Sequence, residues 1–220
     1  MKKSEKAGFY PILINLQRFN CLVVGGGKVA SRKVVSLLNF NANITVISPR
    51  ISKPILELAR QGKIKIIKKY YSRNIIDNFG VVFCATDNPE INRLVRKDCT
   101  DKRILLNVAD EPDLCDFIMP ANVIRGDLTI SISSQGKAPF YTRKMKNKIE
   151  KLIDPVHEEI LKIAGEFRKK VLDNDELDSK EKARIFKLFA SKDWENIIKA
   201  NGSKSLKKYI NDSLKEFNSL

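Results

Sequence analysis

Over the first half of the chain, apolar residues come in short, near-continuous runs separated by stretches of helical spacing. Cys21-Leu22-Val23-Val24 runs into three consecutive glycines, and Ile44-Thr45-Val46-Ile47-Ser48 is a second run of the same kind. Between them Val29, Ala30, Val34, Leu37 and Leu38 recur at helical spacing, which predicts a βαβ unit. Further strands are expected at Ile64 to Ile67, Val81 to Ala85 and Ile104 to Val108, each separated by a stretch able to hold a helix. Strands so uniformly apolar belong in a parallel sheet covered on both faces, so the fold class is α/β.

The pattern changes after about Cys115. Leu128 to Ser133 alternates with period two, as a strand with one wet face does. Gly136 and Pro139 follow, then a helical, basic stretch from Tyr141 to Leu152, and Pro155 marks a break. Val156 to Leu172 has helical periodicity, Asp173 to Lys182 is a polar connection, and Phe186 to Ile198 reads as one amphipathic helix. The remainder alternates Ile, Leu and Phe with Lys. Three parts are expected: a nucleotide-binding domain over 1–115, a strand-and-helix region over 116–150, and a helical C-terminal domain over 151–220.

The nucleotide assignment rests on Gly25-Gly26-Gly27-Lys28-Val29-Ala30, a G-x-G-x-x-A stretch directly after one strand and opening a helix. Gly25 allows the tight turn, Gly27 lets backbone approach a pyrophosphate, and Ala30 keeps the helix close to the sheet. The amides at the helix start, around Lys28 and Val29, face the phosphates. A glycine-rich turn kept for packing has the same form, and the flanking strands are what favour the dinucleotide. The ribose position departs from the usual pattern: where an acidic residue is expected, the chain has Ser48-Pro49-Arg50. Arg50 either contacts a 2′-phosphate, which favours NADP, or points into solvent, so NAD and NADP both stay open.

Composition narrows the class. In 220 residues, 43% are hydrophobic and 30% charged, which suits a packed core rather than a disordered or disulfide-stapled chain. The apolar stretch Ile12 to Leu16 is too short for a signal or a membrane span, so a cytoplasmic protein without membrane association is expected. The four cysteines, Cys21, Cys84, Cys99 and Cys115, form no CxxC pair and read as structural thiols. With a single histidine, His157, no metal-ligand cluster is visible. Lys and Arg total 41 against 26 Asp and Glu, a net +15 that attracts polyanions, whether nucleic acid or a small polycarboxylate. Lysine-rich sequence without interleaved aromatics gives no support to specific nucleic-acid binding.

Several blocks in order carry a family resemblance. Tyr10 to Leu16, the glycine loop through Ser31-Arg32-Lys33, Cys84-Ala85-Thr86-Asp87 with Asn92, and Leu106-Asn107-Val108-Ala109-Asp110 are followed by Asp116-Phe117-Ile118-Met119-Pro120-Ala121 and Ser133-Ser134-Gln135-Gly136-Lys137-Ala138-Pro139. Over about residues 10 to 150 the chain resembles the precorrin-2 dehydrogenase family, the N-terminal module of siroheme synthase. The resemblance implies a Rossmann-type sheet, then a strand-and-helix region through which a homodimer forms, then a small helical domain. It implies NAD-dependent oxidation of precorrin-2 to sirohydrochlorin, with ferrous iron a further substrate in some members and the methyltransferase module of some relatives absent here. The strand Leu128 to Ser133, which lacks an obvious hairpin mate, would then pair in another subunit.

Asp110, just past a strand end, matches the family aspartate that matters for catalysis, as proton acceptor or holder of the macrocycle; a helix-cap or turn role is the plain alternative. Asn107, Ala85 and Thr86 are expected along the nicotinamide. Ser134 matches a family serine near the substrate cavity, and Arg125, Lys137, Arg143 and Lys144 are candidates for binding the substrate carboxylates. A non-enzymatic NAD-sensing regulatory protein is the competing class.

Overall fold

The computed structural model describes residues 8–202, 204–206 and 208–209. The N-terminal heptapeptide and the continuation of the Ile/Leu/Phe and Lys pattern past Tyr209 lie outside the described residues. Within them the chain divides into two compact units that meet between Met119 and Pro120.

The first unit holds a parallel sheet. Its strands are β1 (Asn20–Val24), β2 (Asn43–Ile47), β3 (Lys65–Ile67), β4 (Val81–Cys84) and β5 (Leu105–Val108), in the order β3-β2-β1-β4-β5. Helices α1 (Lys28–Leu38), α2 (Lys53–Arg60) and α3 (Pro89–Lys102) connect them. Side chains alternate across the sheet, and because both faces are covered most strand residues are hidden, the exceptions being Asn20, Asn43 and the edge strand β3. Cys21, Val23, Val46 and Phe83 pack with Ala30 and Val34 of α1 and Ile55 of α2 on one face. Leu22, Val24, Val82 and Leu106 pack with Val95 and Cys99 of α3 on the other. The chain starts at the centre, moves out to β3 and returns to β4, so the strand order reverses beside β1. Ligands of open α/β sheets bind at the carboxyl ends of the strands at that switch point.

One connection differs from the sequence expectation. Between β3 and β4 there is no α-helix, only a 3-10 turn over Arg73–Asn78. Buried contacts hold it: Ile76 is fully enclosed, and the buried carboxylate of Asp98 on α3 accepts from the Tyr71 hydroxyl at 3.0 Å and from Arg73 Nε at 2.8 Å. Burial and the adjacent Asp98 charge together push the Tyr71 hydroxyl well above the usual tyrosine range. Asp98→Ala strands the Tyr71 hydroxyl in the interior. It is expected to cost about 2–3 kcal/mol, less than a wholly buried pair because Arg73 is half in solvent. A lowered urea midpoint at constant m-value checks this.

The second unit opens with a hairpin, β6 (Ala121–Arg125) and β7 (Leu128–Ile132), joined through Gly126-Asp127. The partner of the alternating strand is therefore in the same chain, correcting the expectation of a mate in another subunit. Gly126 turns with φ +54°, and a Cβ there would lie 2.5 Å from Glu158 Cγ, so the turn takes glycine for both reasons. Helices α4 (Pro139–Leu152) and α5 (Val156–Leu172) follow, then α6 (Ser179–Ala190) and α7 (Trp194–Asn201). The single helix expected over Phe186 to Ile198 is two. Asp193 accepts from the Asn196 amide as the N-cap of α7, and the Trp194 indole donates to the Phe189 carbonyl at 2.8 Å, closing the corner. Phe167, Ile185, Trp194 and Ile198 form the core of this bundle. No described helix is long and apolar enough to cross a membrane.

Candidate active site

Three turns converge at the carboxyl edge of the parallel sheet. After β1, Gly25 takes φ +122°, and a Cβ on it would stand 2.3 Å from the Ala85 carbonyl oxygen beyond β4. A Cβ on Gly26 would stand 2.0 Å from the Arg50 carbonyl oxygen beyond β2. Ser48 fixes that carbonyl by donating its hydroxyl to it at 2.8 Å, and the Ser52 amide bonds the Gly26 carbonyl at 2.9 Å. Gly25 and Gly26 are thus small because the protein's own backbone crowds them.

Gly27 is different. No atom lies within 4 Å of where its Cβ would be, and as N-cap of α1 it offers no side-chain acceptor to the first amides of the helix. A helix start with open donors and open space in front of them fits a pyrophosphate. Lys28 and Val29, which follow, are exposed. Arg50 is exposed, with no ion pair among the described residues.

The turn after β4 is braced from within. Asn92, buried on α3, accepts from Cys84 Sγ at 3.1 Å and from the Thr86 hydroxyl at 3.2 Å, and donates to Glu111 Oε1 at 2.5 Å. It ties the Ala85-Thr86 turn to the segment that carries Asp110. Asn88 starts the helix by accepting from the amides of Glu90 and Ile91.

Asp110 lies just past β5 with its side chain exposed and its backbone left-handed, φ +62°. Aspartate is among the few residues that adopt this region, at a modest cost. The loop around it is held firmly. The Ala109 amide donates to the Cys84 carbonyl at 2.8 Å, and the Val108 amide to Cys115 Sγ at 3.1 Å. Asp116 continues along the sheet edge, accepting from the Leu106 amide at 3.0 Å and from Arg96 at 2.7 Å. An exposed side chain thus projects from a fixed platform, which suits a group that must meet a substrate in one geometry.

Asn107, on β5, is 6% exposed and its amide is used inside the protein. Nδ2 donates to the Phe117 carbonyl at 3.0 Å, and Oδ1 accepts from Lys33 Nζ at 2.6 Å. Lys33 was visible in the sequence only as part of the glycine-loop block; a lysine on an amphipathic helix ordinarily reads as a solvated charge. Burial pushes the thiols of Cys84 and Cys99 up to about 12 and that of Cys21 up to about 11, so these are neutral packing residues at neutral pH.

The remaining expected residues belong to the second unit. Ser134 accepts from the Ala138 amide at 2.9 Å and so shapes the turn into α4, with Lys137 exposed in the same turn. Arg125 donates to the carbonyls of Ile153 and Glu150 at 3.1 Å each, closing the end of α4. Arg143 and Lys144 are exposed on α4. His157, Asp154 and Glu195 offer ligand atoms within 4.8 Å of one another, the one such grouping among the described residues. Both of its carboxylates are paired with Lys199, whose ammonium lies 2.6 Å from each.

Sequence comparison extends this geometry. Residues 12–121 match a family model described as “Putative NAD(P)-binding”, and residues 125–152 one described as “Sirohaem biosynthesis protein central”. The siroheme synthase of Methylobacillus flagellatus is 35% identical over 188 residues, 86% of this chain and 38% of the relative. That of Psychrobacter arcticus is 40% identical over 159 residues, 72% of this chain and 29% of the relative. A solved structure described as SirC, precorrin-2 dehydrogenase, superposes with a TM-score of 0.76 at 22% identity, covering 93% of this chain and all of that one, which establishes a shared fold. The chain spans about a third of the length of the curated relatives it matches. The sheet order, the open glycine turn and the first match define a protein with a Rossmann-type NAD(P)-binding domain. With both matches in sequence order along one chain, it belongs to the precorrin-2 dehydrogenase and siroheme synthase family.

Proposed function

We propose that this chain oxidises precorrin-2 to sirohydrochlorin with NAD as electron acceptor. The observation that carries the reading is the pairing, along one sheet edge, of an open phosphate cradle at Gly27 with an exposed carboxylate at Asp110 on a braced loop. The names of the siroheme synthase relatives and of the precorrin-2 dehydrogenase of like fold supply the substrate.

The chemistry divides cleanly. Bound nicotinamide supplies the hydride acceptor. Loss of a hydride from the reduced macrocycle leaves a cation that must shed a proton, and Asp110, as carboxylate, takes that proton. Ala85, Thr86 and the Asn92 brace behind them shape the nicotinamide end. Asn107, its amide committed to Lys33 and Phe117, keeps the β5 edge in register rather than offering a free hydrogen bond. Ser134, Lys137, Arg143 and Lys144 are assigned to the carboxylates of the substrate, and Arg125 holds the end of α4.

The same reading makes the protein a homodimer. A two-stranded sheet is marginal by itself and leaves two edges unpaired. Phe140, which follows that hairpin in the chain order of the second unit, is more than three-quarters exposed, apolar surface that a second copy would cover. Ferrous iron insertion is left out of the proposed activity. The regulatory alternative has no comparable support.

Anaerobic incubation of precorrin-2 with the protein and NAD tests the proposal: sirohydrochlorin absorption should appear with nicotinamide reduction, and binding of NAD without turnover would move the regulatory reading ahead. The free guanidinium of Arg50 predicts that NADP is accepted as a second choice. Arg50→Ala is expected to weaken NADP binding about tenfold and to leave NAD within about twofold, as measured by calorimetric titration of both.

A further inference from the structure

Partly buried charges in the first unit mostly have evident partners. Arg96 pairs with Asp116 at 2.7 Å, Asp98 with Arg73 at 2.8 Å, and Glu111 accepts the Asn92 amide at 2.5 Å. Lys33 does not follow this rule. Its half-buried ammonium meets neutral groups: Asn107 Oδ1 at 2.6 Å, Met119 Sδ at 3.7 Å and the face of Phe83 at 5.7 Å. No carboxylate of the described residues lies within ion-pair distance. An ammonium has three donors, and here one strong and one weak hydrogen bond leave donor capacity unused, with no described carboxylate at ion-pair distance.

We infer that Lys33 binds a carboxylate of the tetrapyrrole, an inference that rests on the function proposed above. Its place in the fold favours that ligand over the cofactor phosphates. Lys33 lies six residues beyond Gly27 on α1, roughly 9 Å along the helix from the pyrophosphate cradle at 1.5 Å per residue. It reaches instead across Phe83 to β5, where Asp110 emerges. Asn107 holds the Nζ from one side, so the cation is presented at a fixed point rather than swept through solvent as a surface lysine is. Burial lowers the Lys33 pKa from the ordinary lysine value, and neighbouring groups, Cys115 and Asp110 among them, restore part of it at longer range. An incoming carboxylate would complete that restoration.

The test compares Lys33→Met and Lys33→Arg with the wild type in direct binding of sirohydrochlorin and of NAD by fluorescence titration. Lys33→Met should raise the sirohydrochlorin Kd about tenfold and leave the NAD Kd within about twofold, with Lys33→Arg recovering most of the loss. A second measurement needs no variant. Acylation of Lys33 in the wild type, followed by peptide mass analysis, should be blocked by sirohydrochlorin and not by NAD. Unchanged tetrapyrrole affinity in Lys33→Met, or protection by NAD alone, overturns the assignment while leaving the proposed function standing. A wild-type protein that binds no tetrapyrrole overturns both.

Discussion

Asp110→Asn is expected to lower kcat for precorrin-2 oxidation by about 10²- to 10⁴-fold, the usual contribution of a positioned acid or base, with NAD affinity and folding unchanged. Asparagine is the informative replacement because the backbone at this position is left-handed, φ +62°. Asparagine tolerates that region as well as aspartate does, so the loop keeps its shape and only the proton acceptor is lost. Alanine confounds the two effects by adding backbone strain. Glycine separates them in the opposite direction: Asp110→Gly relieves the strain, should stabilise the fold by about 0.5–1 kcal/mol, and should still be inactive. Steady-state kinetics beside thermal unfolding read both quantities. A fully active Asp110→Asn would reduce Asp110 to a turn residue.

The second large effect distinguishes the glycines from one another. Gly25→Ala must force a Cβ into a site 2.3 Å from the Ala85 carbonyl oxygen with φ +122°, a conformation that L residues rarely adopt. It is expected to cost about 2–4 kcal/mol of stability, and dinucleotide binding falls with the fold. Gly27→Val should behave differently. Its backbone is extended, φ −86° and ψ −163°, which valine adopts readily, and the space ahead is clear. The fold should lose no more than about 1 kcal/mol, from the poorer N-cap, while the added methyls occupy the approach to the phosphates and weaken NAD at least tenfold. Thermal melts and calorimetric titration of the two variants should give opposite patterns, one unstable and the other stable but unable to bind.

Much of the parallel sheet was readable because β1, β2, β4 and β5 are buried on both faces, leaving runs such as Cys21 to Val24 with no polar interruption. The glycine turn was readable because strand and helix patterns flank it. What sequence could not reveal depends on contacts remote in the chain. Gly26 reads as a spacer until the Arg50 carbonyl is found against it. Lys33 reads as surface until its helix is docked beside Asn107, 74 residues away. Asn92 likewise gains its bracing role only when Glu111 is brought to it.

In the second unit, β6 was missed because Ala121-Asn122-Val123-Ile124-Arg125 follows a proline and does not alternate. The Gly126-Asp127 pair before the alternating strand was nevertheless a hairpin signal. The break between α6 and α7 was masked because both helices bury one face in the same cluster around Phe167 and Trp194, so the apolar periodicity runs through the turn. Asp193 ahead of Trp194 was the capping signal that marked it.

The most direct measurement is the stoichiometry of an anaerobic turnover with limiting precorrin-2 and excess NAD, reading sirohydrochlorin and NADH from one spectrum series. One NADH is expected for each sirohydrochlorin, at a rate that falls with Asp110→Asn. Sirohydrochlorin formed without NADH, or at a rate indifferent to Asp110, would contradict it.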